Sequence, residues 1–475
     1  MTAPDRQIYL LDPQKLTPET IAVAFAKTSR SPESFQAIAD ELTDEKSAQF
    51  HEKWVVGYGH SSVAEHAVLH IAVENVSRLA VETLQANRLA SYTEKSTRYQ
   101  KWDADSFYVP DEFAQEPALS LYRNTCQQLF NAYHSSLVKL REYLVTQQPR
   151  LEGESERAYE NRLRVQYVDV ARFLLPAAAL ANVGVTINAR ALEHALCKML
   201  SHPLAEVRQM GDEIKAISQA NVPTLVKYAH EKAYFTDVQE AFSSVAAGMG
   251  TTPYQGDWCR LVDYDERAEE KVLAAGLLRY SGLTYVQAAE AIRQMDESEK
   301  SALISTFLGK CDPFTAPVRE LEHAYMTFEV VLDQGGYYEL KRHRMMTQSA
   351  QELGVDLGYA TPKWMVAAGF EHEYIRAMEA ARSTYEPLAT VNPFAAAYVV
   401  PNAFNRRVLL TMNLRSANHL VALRSAPNAH FSIRRVAQRL YEEIKAVYPV
   451  IGEWLRCDRD EDWHMVEDTH FQSLF

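Results

Sequence analysis

Three consecutive residues, Arg342-His343-Arg344, set an imidazole between two guanidiniums. Guanidinium forks grip phosphate and carboxylate oxygens two at a time, so such a triplet can build an anion pocket. A short basic cluster is ordinarily solvated surface, and its surroundings decide which it is. Here the triplet follows Glu322-His323-Ala-Tyr-Met-Thr-Phe-Glu-Val-Val. After it come Asn413-Leu-Arg415-Ser-Ala-Asn-His419 and then Arg424.

The same layout occurs earlier in the chain. Gly59-His60-Ser-Ser62-Val-Ala-Glu65-His66 precedes Ser77-Arg78, then Ala86-Asn87-Arg88, then Ser91-Tyr-Thr-Glu94-Lys-Ser96-Thr-Arg98-Tyr99. Further on, Asp169-Val-Ala-Arg172-Phe-Leu-Leu-Pro176 leads to Thr186-Ile-Asn188-Ala-Arg190. The later copy reads Pro401, then Thr411-Met-Asn413-Leu-Arg415, with the same interval from proline to asparagine. The chain is therefore an internal duplication, expected as modules 1–240 and 251–475, and a duplication governs the whole fold.

These motifs resemble the flavin-dependent thymidylate synthase family, ThyX, and the resemblance covers nearly the whole chain. It implies FAD as cofactor. The flavin contacts carried over are Ser29, His60, Ser62, Glu65, Arg342, His343, Arg344, Asn413 and Arg415. The nucleotide contacts are Glu94, Ser96, Arg98, Arg172, Arg342 and Arg424, with His60 and Arg424 in the catalytic positions. Hydroxyl and backbone donors beside an arginine fork suit a 5′-phosphate.

The two copies depart from the family pattern in opposite ways. The first has Ala86-Asn87-Arg88 for the triplet and Met199 where the arginine near the base belongs. The second has Pro317 for His60, Arg319 for Ser62, Arg279 for Ser29 and Ala397 for Arg172, and it lacks the Ser-x-Arg-Tyr loop. The losses are complementary, so one composite site survives and its reciprocal is lost. Family members resemble one another as homotetramers with active sites at subunit interfaces. That implies a homodimer forming a pseudo-tetramer, with the nucleotide site expected between chains.

The implied reaction is reductive methylation of dUMP to dTMP, with methylenetetrahydrofolate as carbon donor and NADPH reducing FAD. Activating C5 of uracil builds negative charge on the ring carbonyls, which a fixed guanidinium such as Arg424 stabilises. This route needs no cysteine nucleophile, and Cys126, Cys197, Cys259, Cys311 and Cys457 fall in no motif. The other readings are a diverged relative using another nucleotide or carbon donor, and a flavin- or nucleotide-binding homologue without turnover.

Composition sets the frame. A chain of 475 residues, 47% hydrophobic, can bury a large core. A net charge of −13 argues against a broad nucleic-acid or anionic-membrane surface, while leaving local arginine clusters free to bind a small anion. There is no apolar run of membrane-spanning length and no apolar leader, so a cytoplasmic protein is expected. Scattered, unpaired cysteines fit a reduced compartment. His51, His60, His66 and His70 lack a zinc-site spacing, and no metal is expected. No Gly-rich dinucleotide fingerprint or P-loop appears.

The elements that position these residues are helix-rich α+β. Ala67–Glu74 and Ala324–Asp333 read as strands from their β-branched and aromatic content. Arg78–Arg88, Tyr337–Arg344, Ala189–Leu200, Ser416–Leu423 and Ile433–Val447 have helical spacing. Residues 117–148 and 155–175 read as long helices. Ser243–Gly250, small and Gly-containing, reads as the linker, and the second module begins near Thr251.

Overall fold

The computed structural model describes residues 7–29, 31–58, 60–249, 256–312 and 314–475. Gly59 of the Gly-His motif, Gly250 of the expected linker and the expected module start at Thr251 lie outside them. The chain forms two compact units. The first holds residues up to Lys95, Tyr108–Ala114 and the stretch from Leu180 to the mid-chain junction. The second holds Ser96–Phe107, Gln115–Ala179 and the C-terminal half. The fold is mixed helix and sheet.

In the first unit, β1 (Val68–Ser77), β2 (Ala90–Glu94) and β3 (Leu180–Asn188) form an antiparallel sheet in the order β1-β3-β2. β1 alternates exposed and buried residues along most of its length, the period of a half-buried strand. Its last residue, Ser77, caps helix Arg78–Gln85 by accepting from Ala80 N at 2.9 Å. β3 ends on Asn188, which caps helix Ala189–Leu200 by accepting from Ala191 N at 2.9 Å.

The second unit repeats this plan. β4 (Cys259–Tyr264), β5 (Tyr325–Asp333), β6 (Thr347–Ala350) and β8 (Asn405–Asn413) form a sheet in the order β4-β5-β8-β6. A short pair, β7 (Thr361–Pro362) with β9 (Phe471–Ser473), lies apart from it. Asp333 caps helix Gln334–Leu340 through Gly336 N at 2.8 Å, and Asn413 caps helix Leu414–Arg424 through Ser416 N at 2.9 Å. The core joins this sheet to helix Phe431–Val447 through Phe328, Val330, Leu410, Ile433 and Leu440, all fully buried.

The unit boundaries differ from the modules 1–240 and 251–475. The helices Ala118–Gln147 and Glu156–Ala171 come from the first copy and belong to the second unit. There Ala118–Gln147 packs on helix Glu371–Val391, and Thr125 Oγ1 and Thr384 Oγ1 share a buried hydrogen bond of 2.8 Å.

The segments carrying the two prolines pair antiparallel across a Pro176–Pro401 bridge. Ala177 N donates to Val400 O at 3.0 Å, and the equivalent Asn402 N donates to Leu175 O at 2.9 Å. Ala178 N donates to Tyr398 O at 2.9 Å, and the equivalent Ala403 N donates to Phe173 O at 3.0 Å. These reciprocal bonds are a local twofold relation between corresponding parts of the two copies.

Three sequence expectations need correction, the first being the helix over Arg78–Arg88, which stops at Gln85. Ser243–Ala247 closes helix Ala233–Ala247 instead of forming a linker; its small residues, Ala above all, suit a helix. The helix expected over Tyr337–Arg344 stops at Leu340. Beyond it Gln348 Nε2 takes up the carbonyls of Leu340 and His343, at 3.4 and 3.1 Å, and the chain turns into β6.

Candidate active site

The triplet Arg342-His343-Arg344 occupies that turn. Arg342 is exposed, and His343 and Arg344 are half-buried. Arg424 ends its own helix and reaches back to the turn. Its Nε donates to His343 Nε2 at 2.9 Å, and its Nη1 donates to Glu339 Oε2 at 3.0 Å. His343 therefore presents a lone pair at Nε2 and carries its proton on Nδ1. Burial, and then the charge of Arg424, push His343 down to about 3, so it is neutral at neutral pH.

Glu339 is the hinge of the cluster. Its side chain is 6% exposed. Its Oε1 accepts from Nη1 and Nη2 of Arg172, each at 3.4 Å, while Oε2 takes Arg424. Arg172 is 3% exposed and also donates to Gly335 O at 3.3 Å. A Cβ at Gly335 would stand 3.0 Å from Asp333 Oδ1, a tight contact, and 3.5 Å from Arg172 Nη2, an ordinary one.

Arg98 closes the other side. Its Nε and Nη2 hold the carboxylate of Asp169 at 2.8–3.1 Å, and its Nη1 donates to Asn428 O at 2.9 Å. Two of its five N–H groups stay uncommitted by these bonds. Ser96 Oγ accepts from Arg98 N at 3.2 Å and fixes the turn that delivers it. Behind Asp169, His430 Nδ1 accepts from Ser432 N at 3.1 Å, so Nε2 carries the proton and donates to the Asp169 carbonyl at 3.0 Å. Burial holds His430 well below its ordinary pKa.

Arg98, Arg172, Arg342 and Arg424 thus lie in one unit of one chain, where the charge of Arg98 lowers Arg172 and Arg424 and that of Arg342 lowers Arg424. Arg98 pairs with Asp169, and Arg172 and Arg424 pair with Glu339, with both histidines neutral. Counted formally, the four guanidiniums outnumber these two carboxylates. Residues 96–107 and 115–179 fold into the same unit as the triplet and Arg424, so one chain alone brings these arginines together.

Several expected ligands have structural partners within the chain. Glu94 forms a buried ion pair with Arg78 at 3.0 Å, both side chains 2% exposed, and so supports the first unit's sheet. Asn413 caps its helix. Arg415 is tied to Glu322 at 2.9 Å and to Pro317 O at 2.8 Å. The first copy repeats this pairing between Arg190 and Glu65. The Glu-His and Asn-x-Arg motifs therefore hold each other, strand start to helix start.

The remaining first-unit residues are open to solvent. His60, Ser62 and Ser29 are exposed, and Ser29 Oγ donates to Ala26 O at 2.9 Å. His60 lies beside Trp54, ring centroids 6.2 Å apart. In the second copy the matching Arg279 and Arg319 are tied to Glu320 and Glu322. Among the described residues no three His, Cys, Asp or Glu side chains gather to hold a metal. No helix among them is long and apolar enough to cross a membrane.

Sequence reasoning missed Glu339, Asp169 and His430. A signal for Glu339 was present: it is the one acid in Gln334-Gly-Gly-Tyr-Tyr-Glu-Leu340, a helix buried along its whole length. A buried carboxylate needs a cation.

The profile of the family described as thymidylate synthase complementing protein matches residues 11–224 and again 260–450. The chain belongs to that family. Two ThyX-like copies in tandem account for the double match. A UPF0159 protein of Chlamydia muridarum is 32% identical over 433 residues, 88% of this chain and 82% of that protein. A UPF0159 protein of Thermoplasma acidophilum is 28% identical, covering 87% of this chain and 89% of its own length. The flavin-dependent thymidylate synthase of Clostridium tetani is 27% identical over 45% of this ThyX-family chain and 82% of its own. Among solved structures, the UMP/dUMP methylase PolB from Streptomyces cacaoi with 5-Br dUMP aligns at a TM-score of 0.33 and 19% identity, covering 41% of this chain and 93% of that one. ThyX from Helicobacter pylori with FAD and dUMP aligns at 0.31 and 19%, covering 42% and 99%.

Proposed function

We propose that this protein is a flavin-dependent nucleotide methylating enzyme that converts dUMP to dTMP at one composite site per chain. The observation that carries the reading is the gathering of Arg98, Arg172, Arg342 and Arg424, two from each copy, in a single unit. Their excess positive charge suits a phosphomonoester dianion.

Arg98, with two free N–H groups, and the exposed Arg342 receive the 5′-phosphate. Arg424 is aimed by His343 through its Nε and offers Nη groups to a pyrimidine carbonyl. Charge that develops on that carbonyl as C5 is activated meets a guanidinium already oriented, so little reorganisation is needed at the reacting moment. A neutral His343 can accept from Arg424 without adding charge of its own.

Within the second unit, Arg342 and Arg344 stand on one turn, guanidiniums of the type that binds the pyrophosphate of FAD. When bound, FAD supplies the hydride that completes the methyl group. Methylenetetrahydrofolate as carbon donor and NADPH as reductant complete the proposal, in a homodimer.

The test is direct. Purified protein should carry a flavin absorbance band and bind dUMP, and the gene should rescue a thymidine auxotroph. Flavin-free protein that binds dUMP without rescue would move the reading to a nucleotide-binding homologue.

A further inference from the structure

The nucleotide cradle contains two carboxylates, and they are held in different ways. Asp169 grips Arg98 through three contacts of 2.8–3.1 Å and is anchored through its backbone by His430. Glu339 meets Arg172 only at 3.4 Å, and its other oxygen is shared with Arg424 at 3.0 Å. Arg172 keeps a buried Nε with no hydrogen-bond partner among the described residues. Good charge-assisted pairs are shorter than the Arg172–Glu339 contacts. Asp169 is built in, whereas Glu339 is loosely seated on two guanidiniums.

Position matters as much as distance. Arg172 is 3% exposed, and its Nη groups are taken by Glu339 and Gly335 O. A ligand oxygen that takes the place of Glu339 on these groups must move that carboxylate aside. The fold does not need an acid there. The first copy carries Thr83 at the same step from its helix cap, and Thr83 Oγ1 shares a neutral hydrogen bond of 3.2 Å with His202.

We propose that Glu339 is a built-in counter-anion of the cradle, which an incoming phosphomonoester must displace from Arg172 and Arg424. The inference rests on the nucleotide reading of this site and adds a determinant of its affinity and selectivity. In the empty site Glu339 neutralises two buried cations that would otherwise repel. Binding then requires an exchange of anions, and the affinity is lowered by the work of moving Glu339 aside. A dianion can replace it, while a monoanion gains little by the exchange. The carboxylate thereby excludes weaker anions, selecting by an unfavourable term as well as by attraction.

The experiment is calorimetric titration of the full chain with inorganic phosphate and with dUMP. Glu339→Gln keeps the shape and removes the competing charge. The expected result is phosphate binding about tenfold tighter than wild type, about 1.4 kcal/mol. A folded Glu339→Gln protein with unchanged or weaker affinity overturns the proposal, and weaker binding would mean that Glu339 contacts the ligand itself. Should that variant not fold, Arg172→Met/Glu339→Gln is compared with Arg172→Met. There the double variant should still bind phosphate more tightly, because Arg424 is released, and equal affinities overturn the proposal. Arg342→Ala and Arg424→Ala separate the two levels. If neither weakens dUMP binding, the nucleotide reading falls and this inference with it. If both weaken it and Glu339→Gln does not tighten phosphate, only this inference falls.

Discussion

Pro176 and Pro401 face each other as partners in an antiparallel bridge, at the centre of two reciprocal pairs of backbone hydrogen bonds. Around that point equivalent backbone atoms repeat and side chains do not. Arg172 corresponds to Ala397, and Asn402, whose Nδ2 donates to Arg172 O at 2.8 Å, corresponds to Ala177. A duplicated fold has kept its backbone symmetry and lost its chemical symmetry.

One nucleotide per chain is the expected stoichiometry. The arginines of the surviving site have Ala86, Ala397 and Met199 as counterparts. None of these can pair with phosphate. Titration with dUMP should saturate at one equivalent, and a plateau at two would contradict the single-site reading.

Glu94 and Arg78 give a stability prediction. With both side chains 2% exposed, breaking the pair strands a buried charge. Arg78→Ala or Glu94→Ala should each cost about 3–5 kcal/mol. Replacing both by hydrophobic residues of similar volume, Arg78→Met with Glu94→Leu, should recover most of the loss. Urea unfolding measures both, and a single-site cost below about 1 kcal/mol would show that the pair is well hydrated.

Acid should act through His343. Its pKa falls from the ordinary 6.5 to about 3 in the folded protein. Between these values the unfolded chain binds more protons than the folded one, so stability rises with pH across the window. It is lost as pH drops from about 6 towards 3, by at most about 1.4 kcal/mol per unit for this one residue. His202 and His470, each lowered to about 4 by burial, add to the slope, so the comparison must be with a variant. His343→Gln keeps an acceptor for Arg424 without titrating. It should flatten the curve of unfolding free energy against pH below about 6, and an unchanged slope would place the proton uptake elsewhere.

Much of the fold was legible in the sequence. Val68–Ser77 and Tyr325–Asp333 announce themselves by β-branched and aromatic content, and Asn188 and Asn413 by capping the helices they precede. Local rules suffice there. The roles of Glu94 and Arg415 were not legible, because an acid or a guanidinium in a motif looks the same whether it meets a ligand or a neighbour. Arg78 and Glu322 answer that only once the sheets are folded. The capture of residues 115–179 by the second unit was hidden too, since it depends on pairing distant in sequence, such as Thr125 with Thr384.

That capture decides the last prediction. Arg98 and Arg424 come from different copies but fold into one unit, linked through Asp169, Glu339 and Asn428. Arg98→Ala and Arg424→Ala should each weaken dUMP binding about ten- to hundredfold, the loss of a charge-assisted contact worth roughly 1.5–3 kcal/mol. Mixing the two variant chains should restore nothing. A site that draws both arginines from its own chain, as their common unit implies, keeps one lesion in a mixed dimer. If the sites formed between chains, a mixed dimer would contain one intact site, and up to half of the wild-type binding capacity would return after unfolding and refolding the chains together. Recovery of tight dUMP binding in the mixture, measured by equilibrium titration, would show that the working nucleotide site joins two chains in solution.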